Sequence, residues 1–499
     1  MTVSPALTVL PVLVPVIPLT AGVLALLLGL LRPPAAQATA VLGMLVTVVV
    51  AVLGLLAVVD GGEPLRHELG GWPPPIGIEY VYDLLAGYMA VIIATIGLLV
   101  AVYPARDGLG FTPKRGMPVY GLILLLLAGL LGVVLSGDLF HLFVFLEIYA
   151  LATYALIALG GDRAVFASFR YLLIGTTGSG LYLLGVGFIY FSTGTLNMAD
   201  AAALLPAVAD SPTTLAAVVL VTVGLGVKMA LFPLHVWLPD AHTNAPPAVA
   251  ALLAAVQVKA AAYAIIRINY GVFGAPLVAD TLPVAEMLVW FGVGGILVGS
   301  VMAIGQVDFK RMLAYSTVAQ LGYIGVGIGL ATPAALIGAL LHILVHASMK
   351  SLLFFIAGSV YRQTGIKEIP RMSGLGRRMP WLMSGFAVAA LSMVGLPPTA
   401  GFVSKFYLGL GAVQAGRWPV AVVIVGASLM TAVYMARLIE RIFFGTPSEE
   451  VLEQAHEPGP RVLVPVLGLA AVLLVAFATN VVIVDVVLEP SVLGLLSGR

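Results

Sequence analysis

The chain has 499 residues, 61% hydrophobic and 9% charged, with a formal net charge of +1. A soluble domain carries roughly 25% charged residues, so no water-exposed fold of this size could cover so much apolar surface with so few charges. The near-zero charge gives no electrostatic basis for nucleic-acid binding, and the lack of cysteine excludes disulfides, cysteine-ligated iron–sulfur clusters and thiolate metal sites carried by this chain.

A membrane span needs about 20 apolar residues, and the sequence offers fourteen such runs: 5–31, 37–59, 82–104, 117–136, 139–160, 164–191, 213–234, 247–270, 284–305, 313–331, 334–361, 380–414, 419–442 and 461–483. The first lacks a basic leader segment and is too long for a signal-peptide core, so it reads as a retained helix. The stretch Leu196–Val208 is too short and broken to span and reads as an interfacial piece. This is an all-α integral membrane protein by composition and periodicity.

Lysine and arginine placement orients it. With the N-terminus outside, the inner loops collect sixteen basic residues: Arg32, Arg106, Lys114, Arg115, Arg163, Arg170, Lys310, Arg311, Arg362, Lys367, Arg371, Arg377, Arg378, Arg437, Arg441 and Arg461. The outer loops collect four, namely Arg66, Arg267, Arg417 and Arg499. Both termini are then outside. The basic residues left over are Lys228, Lys259, Lys350 and Lys405, and each falls inside a span. Ionisable groups at membrane depth are costly and mark an ion or proton path.

Two spans are broken. Span 7 runs into Phe232-Pro233-Leu234-His235-Val236-Trp237-Leu238-Pro239-Asp240, and span 12 contains Gly395-Leu396-Pro397-Pro398-Thr399-Ala400-Gly401. Proline removes a helix hydrogen bond, and irregular backbone at membrane depth is tolerated only inside protein or beside a wet cavity. Interrupted helices in matching places of two halves point to an inverted-repeat transporter. Each break has a lysine near it, Lys228 and Lys405, offset by 405 − 228 = 177 residues. The expected organisation is spans 1–3 over residues 1–112, a first five-helix repeat over 113–275, a second over 280–445, and a fourteenth helix with a tail over 446–499. An odd number of spans per repeat inverts the second relative to the first.

Glu147 lies inside span 5. As a structural carboxylate it would bond a neighbouring helix; as a functional one its natural partner is Lys228. An unpaired buried lysine favours its neutral form, so a glutamate that engages or releases Lys228 switches that lysine's hold on its proton. Lys259 is mid-span among alanines, which disfavours snorkelling to the interface. His342, His346 and Lys350 stand at i, i+4 and i+8 of span 11 and share one helix face. A histidine pair at this spacing can hold zinc, but no glutamate base or thiolate accompanies it, and histidine titrates near neutral pH, which suits proton relay. His235 and His242 flank Asp240 in the loop after span 7, where they either hold the loop or join the path. Asp83 and Asp138, near outer span ends, are expected to be solvated, and Asp308, Lys310 and Arg311 read as inner-loop charge. No phosphate-binding or dinucleotide-binding glycine motif is present. The residues call for no cofactor and no metal, and energy must come from an ion gradient or from partner subunits. An integral-membrane transferase using the buried histidines is the competing class; it would gather its polar residues at one membrane face.

Four segments carry a resemblance: Trp237-Leu238-Pro239-Asp240-Ala241-His242, Asp308-Phe309-Lys310-Arg311-Met312-Leu313-Ala314-Tyr315-Ser316, Ala319-Gln320-Leu321-Gly322-Tyr323, and His342-Ile343-Leu344-Val345-His346-Ala347-Ser348-Met349-Lys350. They resemble the proton-translocating antiporter-like subunits of Mrp-type cation/proton antiporters, respiratory complex I and membrane-bound hydrogenases. The resemblance implies fourteen helices in two inverted five-helix repeats, and a glutamate–lysine–lysine/histidine–lysine axis. In it Glu147 and Lys228 are the paired switch, Lys259 the central relay, His342, His346 and Lys350 the connecting set, and Lys405 the terminal exchange lysine, with His235, Asp240 and His242 in support. The Leu10-Pro11-Val12-Leu13-Val14-Pro15 run and the stretch from Gly71-Trp72-Pro73 to Tyr82-Asp83 are most similar to the D-type subunit of the Mrp antiporters. Lys405 disfavours the M-type subunit of complex I, the lack of a long lateral C-terminal helix the L-type, and the N-type remains open. The implied activity is proton translocation coupled to a monovalent cation such as Na⁺, by a secondary-transporter subunit that is not itself an enzyme. The alternative is the non-redox pumping subunit of an NADH–quinone oxidoreductase or hydrogenase. The implied partners are homologous and small membrane subunits, protons, a monovalent cation and the lipid bilayer, with no nucleic acid. The implied location is the cell membrane.

Overall fold

The computed structural model describes residues 7–104 and 117–497; Arg106, Lys114, Arg115 and Arg499 of the charge comparison lie outside them. Among the described residues fourteen helices are long and apolar enough to cross a membrane. Thirteen coincide with expected spans. They are Leu10–Leu31, Pro33–Gly61, Leu84–Val102, Pro118–Leu135, Leu139–Ala158, Asp162–Thr193, Pro212–Met229, Pro247–Phe273, Val284–Ile304, Phe309–Leu330, Pro333–Thr364, Trp418–Phe444 and Pro460–Ala478, spans 1–11, 13 and 14. Span 12 is two half-helices, Pro380–Val394 and Ala400–Gln414. The helix starts follow local chemistry. Proline stands in the first turn of spans 7, 8, 11, 13 and 14, where its missing N–H costs nothing. Asp83, Asp138, Ser211, Asp308 and Thr332 cap spans 3, 5, 7, 10 and 11 through their side chains.

Side-chain contacts at the helix ends define two faces. Arg267 meets Asp83, and Arg417 meets Glu286, on one. Lys310 meets Ala245, Arg437 meets Ile304 and Gln37 meets Ala101 on the other. We call these the Asp83 face and the Lys310 face. A short antiparallel hairpin, β1 (Leu65–Glu68) with β2 (Glu79–Tyr82), covers part of the Asp83 face.

The fourteenth long helix, Asn480–Ser497, is the expected C-terminal tail, and it does not return across the protein. Span 14 starts on the Lys310 face, where Glu457 accepts from the backbone of Trp381 and Leu382 and Gln363 accepts from His456 N–H. It therefore ends on the Asp83 face. The tail helix leaves from there, and its far end lies against the last turn of span 8, where a Cβ on Gly271 would stand 3.3 Å from Leu495. Both ends of the helix sit on one face, so it runs along that face.

A paired backbone motif makes the repeats visible. Leu139 N–H donates to Leu196 O (2.9 Å) and Met198 N–H to Gly137 O (2.9 Å), tying the start of span 5 to the chain after span 6. Phe309 N–H donates to Lys367 O (2.9 Å) and Ile369 N–H to Val307 O (2.8 Å), tying the start of span 10 to the chain after span 11. In each, an aspartate caps the helix, Asp138 on His141 N–H and Asp308 on Arg311 N–H. The offset is 308 − 138 = 170 residues. The first copy lies on the Asp83 face and the second on the Lys310 face, which is the inversion. The central apolar stretches of spans 8, 10 and 11 are 100%, 94% and 94% buried, so the polar side chains within those stretches face protein.

Candidate functional site: a buried row of lysines and histidines

Glu147 sits midway along span 5. Its Oε1 accepts from the Ser179 hydroxyl of span 6 and lies 3.5 Å from Lys228 Nζ. Lys228 is 1% exposed and Glu147 27%: the lysine is enclosed, whereas the carboxylate stands on a partly open face of span 5. Lys228 is near the last residue of the first half of span 7, where the partial negative charge of the helix end favours an ammonium; the Tyr149 ring lies 5.8 Å from it.

The half-helix stops at Met229 because Ala230 turns left-handed (φ 58°). The end carbonyl at Val227 accepts from the Ala230 N–H (3.1 Å) and from the Trp237 indole (3.0 Å) beyond the break. In span 12 the first half stops at Val394 with Gly395 at φ 85°, and here the Lys405 ammonium, beyond the break, donates to Met393 O (2.8 Å) and Val394 O (3.1 Å). Lys405 thus occupies the position that Trp237 holds in the first repeat. The two lysines near the breaks are not counterparts: Lys228 precedes its break and Lys405 follows the other, which corrects the 177-residue pairing. A Cβ on Gly395 would also stand 2.9 Å from Lys405 Cδ, so glycine is needed there for both backbone and space.

Span 8 contains a π-helical turn, Leu253–Gln257, which disturbs the regular carbonyl ladder. Fully buried Lys259 donates to the carbonyl of Ala254 in that turn. Next to it, Gln257 accepts from Thr153 (2.9 Å) of span 5 and donates to Tyr171 (2.6 Å) of span 6. Tyr171 stacks on Trp237 with ring centroids 3.8 Å apart. A continuous chain of contacts therefore runs from the capped end of the Lys228 half-helix to the turn that holds Lys259.

On span 11, His342 lies between Gln320 Oε1 (Nε2, 2.9 Å) and Ser404 Oγ (Nδ1, 2.9 Å). An amide oxygen only accepts, so Nε2 carries the hydrogen. Ser404 Oγ is also 3.1 Å from Gly401 O. Its single hydrogen serves Nδ1 when His342 is neutral and Gly401 when the ring is doubly protonated. Ser404 precedes Lys405, whose ammonium also bonds Ser428 (3.1 Å) and faces the Tyr323 ring at 4.9 Å. Lys350 donates to Leu313 O (2.9 Å) and Ser316 Oγ (2.5 Å) of span 10. His346 and His242 are fully buried, and among the described residues neither has a hydrogen-bond partner for its ring nitrogens. His346 is within electrostatic reach of Lys259, Lys350, His342 and His242, so these five form one cluster.

Of the three supporting residues, His242 joins this cluster. Asp240 instead pairs with Arg170 (2.8 Å) towards the Lys310 face, and His235 packs by the Phe232 ring at the break. Asp83 and Asp138 are not solvated as expected. Asp83 holds Arg267 through two bonds, and Asp138 is 6% exposed, spent on its helix cap. Sequence reading missed Trp237, Gln257, Gln320 and Ser404 as partners. Trp237 and Gln320 stood inside the segments that carry the resemblance, whereas Ser404 and Gln257 were marked only by adjacency, one residue before Lys405 and two before Lys259.

Residues 136–431 match the family described as NADH:quinone oxidoreductase/Mrp antiporter, transmembrane. The chain is 47% identical to the N-type subunit of the NADH-quinone oxidoreductase of Desulforudis audaxviator, over 95% of its length and 97% of that protein. It is 34% identical to the D-type subunit of the Na⁺/H⁺ antiporter of Alkalihalophilus pseudofirmus, covering 85% and 86%. Its fold superimposes on a chain of the Mrp complex of a Dietzia species with a TM-score of 0.89 at 27% identity, covering 99% and 98% of the two chains. Matched over more than half its length and with relatives aligned nearly end to end, the chain belongs to the NADH:quinone oxidoreductase/Mrp antiporter transmembrane family.

Proposed function

We propose that this chain carries protons across the membrane as one subunit of a multisubunit complex, through Glu147, Lys228, Lys259, His346, Lys350, His342 and Lys405. The observation that carries the reading is the enclosure of so many titratable side chains in one connected row. Lys228, Lys259, Lys350, His342 and His346 are each 0–1% exposed, and charges at such depth are kept for transport. Glu147 sets the charge of Lys228, Lys259 relays to the histidine cluster, and Lys405 exchanges protons at the far end. The partly open face at Glu147 would meet a neighbouring membrane subunit. Residues 113–275 and 280–445 act as the two repeats. The Lys310 face, richer in lysine and arginine, lies on the inner side of the cell membrane, so both termini are outside.

The likeness to the D-type antiporter subunit and to the Mrp complex supports a complex that exchanges protons for Na⁺. The greater identity to the N-type oxidoreductase subunit supports a second reading, in which electron transfer in other subunits drives the same proton path. Membrane vesicles holding the native complex separate them. An imposed Na⁺ gradient that moves protons without NADH or quinone supports antiport; proton movement only during NADH oxidation supports the redox-driven complex. Undiminished proton movement by either route in a Lys259→Met variant refutes the relay itself.

A further inference from the structure

Span 8 carries a polar stripe beyond Lys259. Tyr263 and Arg267 follow at i+4 and i+8 on the same helix face, reaching about 12 Å towards the Asp83 face at 1.5 Å per residue. The stripe opens into a cavity of about 350 Å³ walled by Arg66, Glu79, Asp83, Tyr263 and Arg267 and roofed by Leu495 of the tail helix. That volume is ample for several waters. Arg267 lines the cavity beside Tyr263, which stands one turn nearer Lys259. The guanidinium grips Asp83 through two bonds (2.6 and 2.7 Å) and donates to the Tyr263 hydroxyl (3.0 and 2.8 Å), which itself donates to Val134 O (2.7 Å).

We propose that this cavity is the aqueous mouth of a second proton route, from Lys259 to the Asp83 face, and that the Asp83–Arg267 pair is its gate. The inference rests on reading Lys259 as a proton carrier. Arginine does not release its proton, so Arg267 cannot be a relay group. Held by Asp83, its guanidinium keeps the Tyr263 hydroxyl engaged and so holds shut the stripe that leads on to Lys259. Released from Asp83, it can swing towards Glu79 on the cavity wall and free the Tyr263 hydroxyl at the top of the stripe. Most of the two side chains is enclosed, at 18% and 24% exposure, yet the pair stands at a polar mouth in line with a buried titratable lysine. A strut tying span 3 to span 8 would need neither the cavity nor that alignment.

The absence of cysteine makes the test direct, because an introduced thiol is the only one in this subunit. Ala262→Cys reports on the stripe below the gate, and Ala199→Cys on the cavity wall. In vesicles holding the whole complex, a charged, membrane-impermeant thiosulfonate is added from each side in turn. With the pair intact, position 262 should be protected and position 199 labelled from the Asp83 face. Asp83→Asn keeps the helix cap, since asparagine caps as well as aspartate, but removes the charge. It should speed labelling at 262 roughly tenfold, the worth of one charge-assisted bond, and should add a passive proton leak. Arg267→Gln breaks the pair from the other side and should do the same. Labelling at 262 that is equal with and without the pair overturns the gate, and faster labelling without a leak overturns the proton route. Normal transport by Lys259→Met is a separate result, and it overturns the relay instead.

Discussion

Replacing Lys228 by arginine separates a proton carrier from a structural ion pair. The ammonium and the Glu147 carboxylate are 3.5 Å apart, worth about 5 kcal/mol at an effective dielectric of ~20. Glu147 is 27% exposed, and solvent screening reduces this to about 2–3 kcal/mol. Moving the carboxylate towards or away from Lys228 thus changes the lysine's hold on its proton roughly 30- to 150-fold. Arginine binds its proton at least about 100-fold more tightly than lysine, which takes it out of the range that Glu147 can switch. Lys228→Arg should therefore leave an assembled complex, checked by native electrophoresis, with proton flux reduced about a hundredfold or more. Lys228→Ala should be equally inactive. Flux is read with a pH-sensitive dye in membrane vesicles. A strut predicts the opposite, because arginine satisfies Glu147 as well as lysine does. Wild-type flux in the arginine variant would refute the relay.

Three further outcomes follow from the geometry. His342→Phe removes the bridge between Gln320 and Ser404 and leaves a buried amide oxygen unpaired; flux should fall and stability drop by about 1–3 kcal/mol, seen in thermal unfolding of the complex. Asp308→Ala should cost about 0.5–2 kcal/mol by losing the cap of span 10, while Asp308→Asn should cost little, and the same contrast should hold at Asp138 in the inverted copy. The gate should resist mild acid. Burial alone would raise the Asp83 carboxyl, but Arg267 and the helix-start N–H groups hold it below the usual carboxylate range. A depressed carboxylate contributes stability above its unfolded value near 3.9 and loses it as pH falls through the lower folded value. Arg267 and Tyr263 on span 8 and Arg66 and Glu79 on the hairpin face it. Protection of the Ala262→Cys thiol should thus persist from about pH 8 to 5, and its loss near pH 6 would contradict this.

Composition alone decided that the chain is a membrane protein, because so few charges cannot cover so much apolar surface in water. Helix periodicity decided that His342, His346 and Lys350 share a face, since that spacing is a property of the helix itself. The four lysines left inside spans were legible for the same reason, as each had no loop to go to. What stayed hidden depends on contacts between segments distant in the chain. Lys405 takes the place of Trp237 and not that of Lys228, because half-helix ends are capped by whatever donor the fold brings to them. Asp83 is tied to Arg267 across 184 residues of chain, and a one-dimensional reading can only treat a charge near a span end as solvated. The tail helix is apolar and long enough to cross, yet it lies along the Asp83 face. Its path follows from where span 14 ends and from the seat that Leu495 finds on Gly271, and both are set by packing, on which length and hydropathy are silent.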